Sequence, residues 1–123
     1  MITIEVPIPH RALNPNGRSH WGAKSSLTSI ERQTARLTAM SWLNERMVDP
    51  PRWAAATIQC TFYFATKRRR DKDNAEASLK ATRDGLADAG IVANDAAFTS
   101  LPPTLLVDKS RPRVVIEIRE GTA

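Results

Sequence analysis

A chain of 123 residues, 41% apolar and 25% charged, suits one globular domain spanning 1–123 and leaves little room for two. It shows no signal-peptide pattern and no apolar run long enough to span a membrane, so a reducing cytosol is the expected compartment. The net charge of +5 suits a polyanionic partner, the single cysteine excludes a disulfide within the chain, and Cys60, His10 and His20 lack zinc-ligand spacing.

Residues Ile2 to Pro7 alternate apolar and polar and read as a half-buried strand. Ile8 to Lys24 is rich in Pro, Asn, Gly and Arg and reads as a loop. A helix is expected next. Thr28 and Glu31 have capping-box spacing, and Leu27, Ile30, Leu37, Met40 and Met47 recur at helical intervals, with Ala35, Ala39 and Leu43 filling in. Asp49-Pro50-Pro51 closes it.

Thr57 to Ala65 is the clearest strand, with Ile58, Cys60, Phe62 and Phe64 on one face. The spacing then predicts one helix over Ala75 to Ala89, capped by Asp73 or Asn74 and stopped by Gly90. Its inward stripe is Ala75, Leu79, Thr82 and Leu86; Gly85 within it costs about 1 kcal/mol against alanine and points to close packing. Ile91 to Thr99 reads as irregular or strand-like, Leu105 to Val107 as a strand, and Val114 to Arg119 as a final strand. The implied fold class is α/β (α+β), a small two-layer sandwich with a mixed sheet and two main helices.

The residues that carry chemistry converge on Arg68 to Asp95. Asp71 and Asp73 are two apart, so in extended chain their carboxylates share a face, as magnesium ligands would. The same pair also reads as a helix cap and a solvated charge. On a continuous helix, positions 73, 77, 80 and 84 form one stripe. Lys80 then lies about 10 Å along the axis from Asp73 and leans back toward it, with Asp84 placed to orient its ammonium. The plain alternative is an exposed i, i+4 Lys80–Asp84 pair. Asp95, after the Gly90 turn, either returns to the Asp71–Asp73 pair or is an ordinary turn aspartate beside Asn94.

The run Lys67-Arg68-Arg69-Arg70 reads as a phosphate-attracting patch or as a solvated charge run. In the first loop, Arg11, Arg18, His20, Trp21 and Lys24 add cations and an aromatic that can stack on an unpaired base; a packing Trp is the commoner outcome.

The segments Arg68-Arg69-Arg70-Asp71-Lys72-Asp73-Asn74, Lys80, Asp84-Gly85-Leu86, Asp88-Ala89-Gly90 and Asn94-Asp95 resemble the RusA family of Holliday-junction resolvases. The likeness is closest to the short versions common in phages and prophages. The Asn14-Pro15-Asn16 to His20-Trp21 loop and the Arg113 to Glu117 strand share it. The resemblance implies a small α/β homodimer that binds four-way or branched DNA. It implies magnesium-dependent phosphodiester hydrolysis, with manganese as a substitute, in DNA recombination and repair. Asp71, Asp73 and Asp95 take the places of the family's metal ligands and Lys80 that of its catalytic lysine, with Asn74, Asp84 and Asn94 in support. Some members place the lysine three residues nearer the aspartate pair, and many carry Asp where this chain has Asn94. Lys67, Arg68, Arg69, Arg70, Arg18, Trp21 and Lys24 are the expected DNA contacts. The rivals are a non-catalytic DNA-binding protein and another metal-dependent phosphotransferase; the absence of a P-loop pattern disfavours the second.

Overall fold

The computed structural model describes residues 1–10 and 21–122, and for residues 21–23 only the backbone. Alternation builds the sheet. β1 (Ile2–Val6), β2 (Ala56–Phe64) and β5 (Arg113–Glu120) each turn one row of apolar side chains inward. Ile2, Ile4, Val6, Ile58, Cys60, Phe62, Val114, Ile116 and Ile118 are all buried. The register puts Ile4 and Cys60 on either side of Ile116, so the inner rows meet across three strands. Each such side chain contributes about 1.5–3 kcal/mol by leaving water.

β5 lies antiparallel between β1 and β2. The other flank of β2 is shared: β3 (Phe98–Ser100) pairs parallel with its first residues and β4 (Thr104–Val107) with its last. Pro102 and Pro103 separate these two short strands, since neither prolyl nitrogen can donate to the ladder. The result is a mixed five-stranded sheet with helices on one face, the expected two-layer α/β sandwich. Among the described residues no helix is long and apolar enough to cross a membrane.

α1 (Trp21–Glu45) corrects the sequence expectation in two ways. It begins at Trp21, seven residues before Thr28, so Thr28 and Glu31 form no capping box; the Thr28 hydroxyl bonds back to the Lys24 carbonyl inside the helix, at 2.8 Å. Its inward stripe is Ala35, Ala39 and Leu43, whereas Ile30, Leu37, Met40 and, just beyond the helix, Met47 are exposed. The small residues face inward because α1 crosses a second helix at Gly85. There a Cβ would overlap the carbonyl oxygen of Arg32 and lie 2.9 Å from the Ala35 Cβ.

The helix expected over 75–89 is two helices, α2 (Lys72–Ala77) and α3 (Lys80–Asp88). The break is at Ser78 and Leu79. The Ser78 hydroxyl bonds the Ala75 carbonyl at 2.6 Å, and the Leu79 N–H donates three residues back to Glu76. Arg83 reaches over from α3 and donates to the Glu76 carbonyl and carboxylate, at 3.2 and 2.6 Å, closing the end of α2. The expected inward residues Ala75, Leu79, Thr82 and Leu86 are nevertheless all buried. α3 stops as expected at Gly90, whose φ of +87° suits glycine.

Thr82 is 1% exposed, and its hydroxyl has no hydrogen-bond partner among the described residues. Replacing it by valine keeps the shape and removes an unpaired polar group. Thr82→Val is expected to raise stability by about 1 kcal/mol in urea denaturation.

Candidate nucleic-acid interface

Three chain segments leave the sheet at the end where β2 finishes. Residues 7–10 follow β1, residues 65–71 follow β2, and residues 108–112 join β4 to β5. The Asp108 N–H donates to the Phe64 carbonyl at 2.9 Å, so the last two of these segments depart side by side.

Lys67, Arg68 and Arg69 are exposed in the segment after β2. Arg70 differs from its neighbours. Its guanidinium lies 3.8 Å from the centre of the Phe64 ring and donates to the Thr66 hydroxyl at 3.3 Å. Burial first, and the Arg68 charge second, lower its pKa from the ordinary guanidinium value. Arg70 therefore anchors the loop to the sheet, and the outward cations are Lys67, Arg68, Arg69 and Lys72.

Asp71 is the N-cap of α2. Its Oδ1 accepts from the N–H groups of Asp73 and Asn74 at 2.8 and 3.2 Å. Asp73 sits in the first turn, exposed, where a carboxylate is favoured by the helix dipole. Asn74 is half-buried, and its carbonyl accepts the Ser78 N–H.

Lys80 opens α3 beyond the Ser78–Leu79 break, so the stripe 73, 77, 80, 84 is not continuous. Its ammonium lies 3.3 Å from Asp84, and its side chain is 73% exposed. This is the plain i, i+4 surface pair.

Asp95 is carried elsewhere. α2 and α3 form the crossover between parallel strands β2 and β3, and Asp95 opens a 3-10 turn (Asp95–Ala97) just before β3. Phe98, the first residue of β3, pairs with Ala56, the first residue of β2. Asp71 thus follows the last residues of β2, and Asp95 precedes the strand that pairs with its first residues. Asn94 caps the turn, accepting from the Ala96 N–H at 3.0 Å.

Asp95 belongs instead to a group around Arg32 of α1. Arg32 makes two hydrogen bonds to Asp88, at 2.6 and 2.9 Å, and Asp84 and Asp95 add their charge to its field. The Arg32 hydrogen bonds hold the Asp88 carboxyl below its ordinary pKa. A depressed carboxyl stabilises the fold above its unfolded pKa of about 3.9, and that contribution disappears as pH falls through the folded value. Asp88→Asn should therefore lower stability slightly near neutral pH, with the difference from the parent vanishing as pH falls through the depressed folded pKa in denaturant titrations.

Among the described residues no three His, Cys, Asp or Glu side chains are placed to hold a metal ion together. Of the three expected magnesium ligands, Asp71 and Asp73 lie at the start of α2, and Asp95 opens the 3-10 turn before β3, on the other side of the crossover. The burial of Cys60, which pushes its thiol up to about 12, also removes it as a nucleophile. Lys24 is half-buried within α1 rather than in a loop. Arg11, Arg18 and His20, and the side chain of Trp21, lie outside the described residues.

Sequence reasoning missed the contribution of residues 108–113. Asp108 Oδ1 accepts from the N–H groups of Ser110 and Arg111 and from the Ser110 hydroxyl. Its Oδ2 accepts from Arg113 at 2.8 Å. The Ser110 and Arg113 hydrogen bonds, in that order, keep the Asp108 carboxyl below its ordinary pKa. Glu5 of β1 pairs with both Arg111 and Arg113, and Arg113 stacks 4.0 Å from the centre of the Tyr63 ring. The signal was present as a cluster of turn formers, Asp108 to Pro112, directly after a strand.

A groove of about 410 Å³ opens at the opposite end of the uncovered sheet face, lined by residues that include Gln59, Glu117, Arg119 and Glu120. Its mixed charge, with two carboxylates beside one guanidinium, does not suit a polyanion.

No protein-family model matches the chain. It is similar to an uncharacterized protein of Xylella fastidiosa (strain Temecula1), with 34% identity over 123 aligned residues that cover 96% of this chain and 76% of the relative. Likeness of that extent along nearly the whole fold shows common descent, and the chain belongs to the same family as the Xylella fastidiosa protein.

Proposed function

We propose that the protein is a structure-specific endodeoxyribonuclease acting on four-way or branched DNA, as its resemblance to RusA resolvases implies. One observation carries the reading. Lys67, Arg68, Arg69 and Lys72 stand exposed beside Asp71 and Asp73, and none of these cations makes an ion pair among the described residues. Uncompensated guanidinium and ammonium groups hold backbone phosphates, and arginine does so through paired hydrogen bonds. The free oxygen of Asp71 and the exposed carboxylate of Asp73 are then the acceptors nearest in the chain to a water attacking a phosphate docked there. A homodimer, with paired nicks on opposite strands, belongs to the same reading; sedimentation of the full chain tests it.

Binding without cutting is the second reading, and a specific observation favours it. Asp71 spends one oxygen on capping α2, and Asp95 lies on the other side of the crossover. Purified protein incubated with labelled four-way junction, duplex and single strands, with magnesium, with manganese and without either, separates the two. The nuclease reading expects junction-selective nicks that need the divalent ion. Junction binding with no product under any condition leaves the binding module.

A further inference from the structure

We infer that the β4–β5 turn is a second, preformed phosphate contact, and that Lys109 continues the nucleic-acid surface begun by Arg68 and Arg69. The inference deepens the DNA-binding reading above and rests on it. Phe64 and Val107 are register partners on adjacent strands, so the segments that follow them start about 4.8 Å apart. One carries Lys67, Arg68 and Arg69; the other carries Lys109 and Arg111.

The turn is built to present one cation. Asp108 ties down the Ser110 and Arg111 N–H groups and the Arg113 side chain. Glu5 takes Arg111 and Arg113. The acids at this turn are thus spent on Arg111 and Arg113, while Lys109, between Asp108 and Ser110, is exposed and makes no ion pair among the described residues. A cation held on a rigid turn loses less conformational freedom on binding than one on a free chain. The partner that fits is a nucleic-acid backbone, whose regularly spaced phosphates can engage both segments at once.

The test is the salt dependence of binding to a labelled four-way junction for the parent protein, Lys109→Ala and Arg68→Ala/Arg69→Ala. Each lost phosphate contact should reduce the slope of log affinity against log salt by about 0.9. The inference expects Lys109→Ala to flatten the slope by about one contact, and Lys109→Arg to restore it. A parent-like slope for Lys109→Ala, with a flattened slope for the arginine double variant, overturns the inference and leaves the DNA reading standing. A parent protein with no salt-dependent junction binding overturns both. Circular dichroism of Lys109→Ala confirms that the exposed substitution leaves the fold intact.

Discussion

Replacing Gly85 by alanine is expected to destabilise the protein by about 3 kcal/mol, although alanine is the better helix former by about 1 kcal/mol. The added methyl would overlap the Arg32 carbonyl oxygen and meet the Ala35 Cβ at 2.9 Å. Both belong to α1, and the first is backbone, so no side-chain rotation relieves the contact. α1 and α3 must separate, and with them the packing of Ala35, Ala39 and Leu86 loosens. A denaturant titration of Gly85→Ala measures the loss. A gain in stability would mean that helix propensity outweighs the close approach and that the two helices are not tightly apposed.

The second large effect concerns the carboxylates beside the basic segment. Asp73→Asn is expected to abolish junction cleavage while leaving junction binding intact or tightening it. A carboxylate repels the incoming phosphate, so neutralising it favours binding, while an amide cannot take the proton of an attacking water. Asp71→Asn should behave alike in cleavage. It should also cost about 1 kcal/mol or less of stability, because asparagine is itself a good N-cap and keeps the bonds to the Asp73 and Asn74 N–H groups. Binding titrations beside cleavage time courses measure both signs. Loss of binding together with cutting in either variant would reduce these aspartates to supports of the fold.

Much of the fold was legible because strand periodicity is local. Ile2 to Val6, Ala56 to Phe64 and Arg113 to Glu120 alternate, and the expected boundaries lie within one residue of the observed ones. α1 was misread in face because its large apolar residues, Ile30, Leu37 and Met40, suggested the buried side. Only the partner helix decides otherwise, since Gly85 admits nothing larger than Ala35 at the crossing. The break at Ser78–Leu79 was hidden for a similar reason. Ala75, Leu79, Thr82 and Leu86 keep helical spacing through it, and the side-chain hydrogen bonds of Ser78 and Arg83 that shape it leave no mark on the apolar periodicity.

The candidate site was legible only as far as the chain stays local. The basic run, the Asp71 cap and the Lys80–Asp84 pair all involve neighbours within four residues. The position of Asp95 depends on the handed crossover between β2 and β3, which spacing along the chain does not specify. The same holds for Lys109, which joins the basic segment only because β4 pairs with the last residues of β2.

The central claim, that this basic end of the sheet engages DNA, is tested most directly by one comparison. Affinity for a labelled four-way junction is measured against salt for the parent protein and for Arg68→Ala/Arg69→Ala. Arg70 is left in place because it packs on Phe64. The account predicts a steep loss of affinity with salt for the parent and a slope smaller by about two phosphate contacts, near 1.8, for the variant. An identical slope in the two proteins, or no junction binding by the parent at low salt, would contradict it.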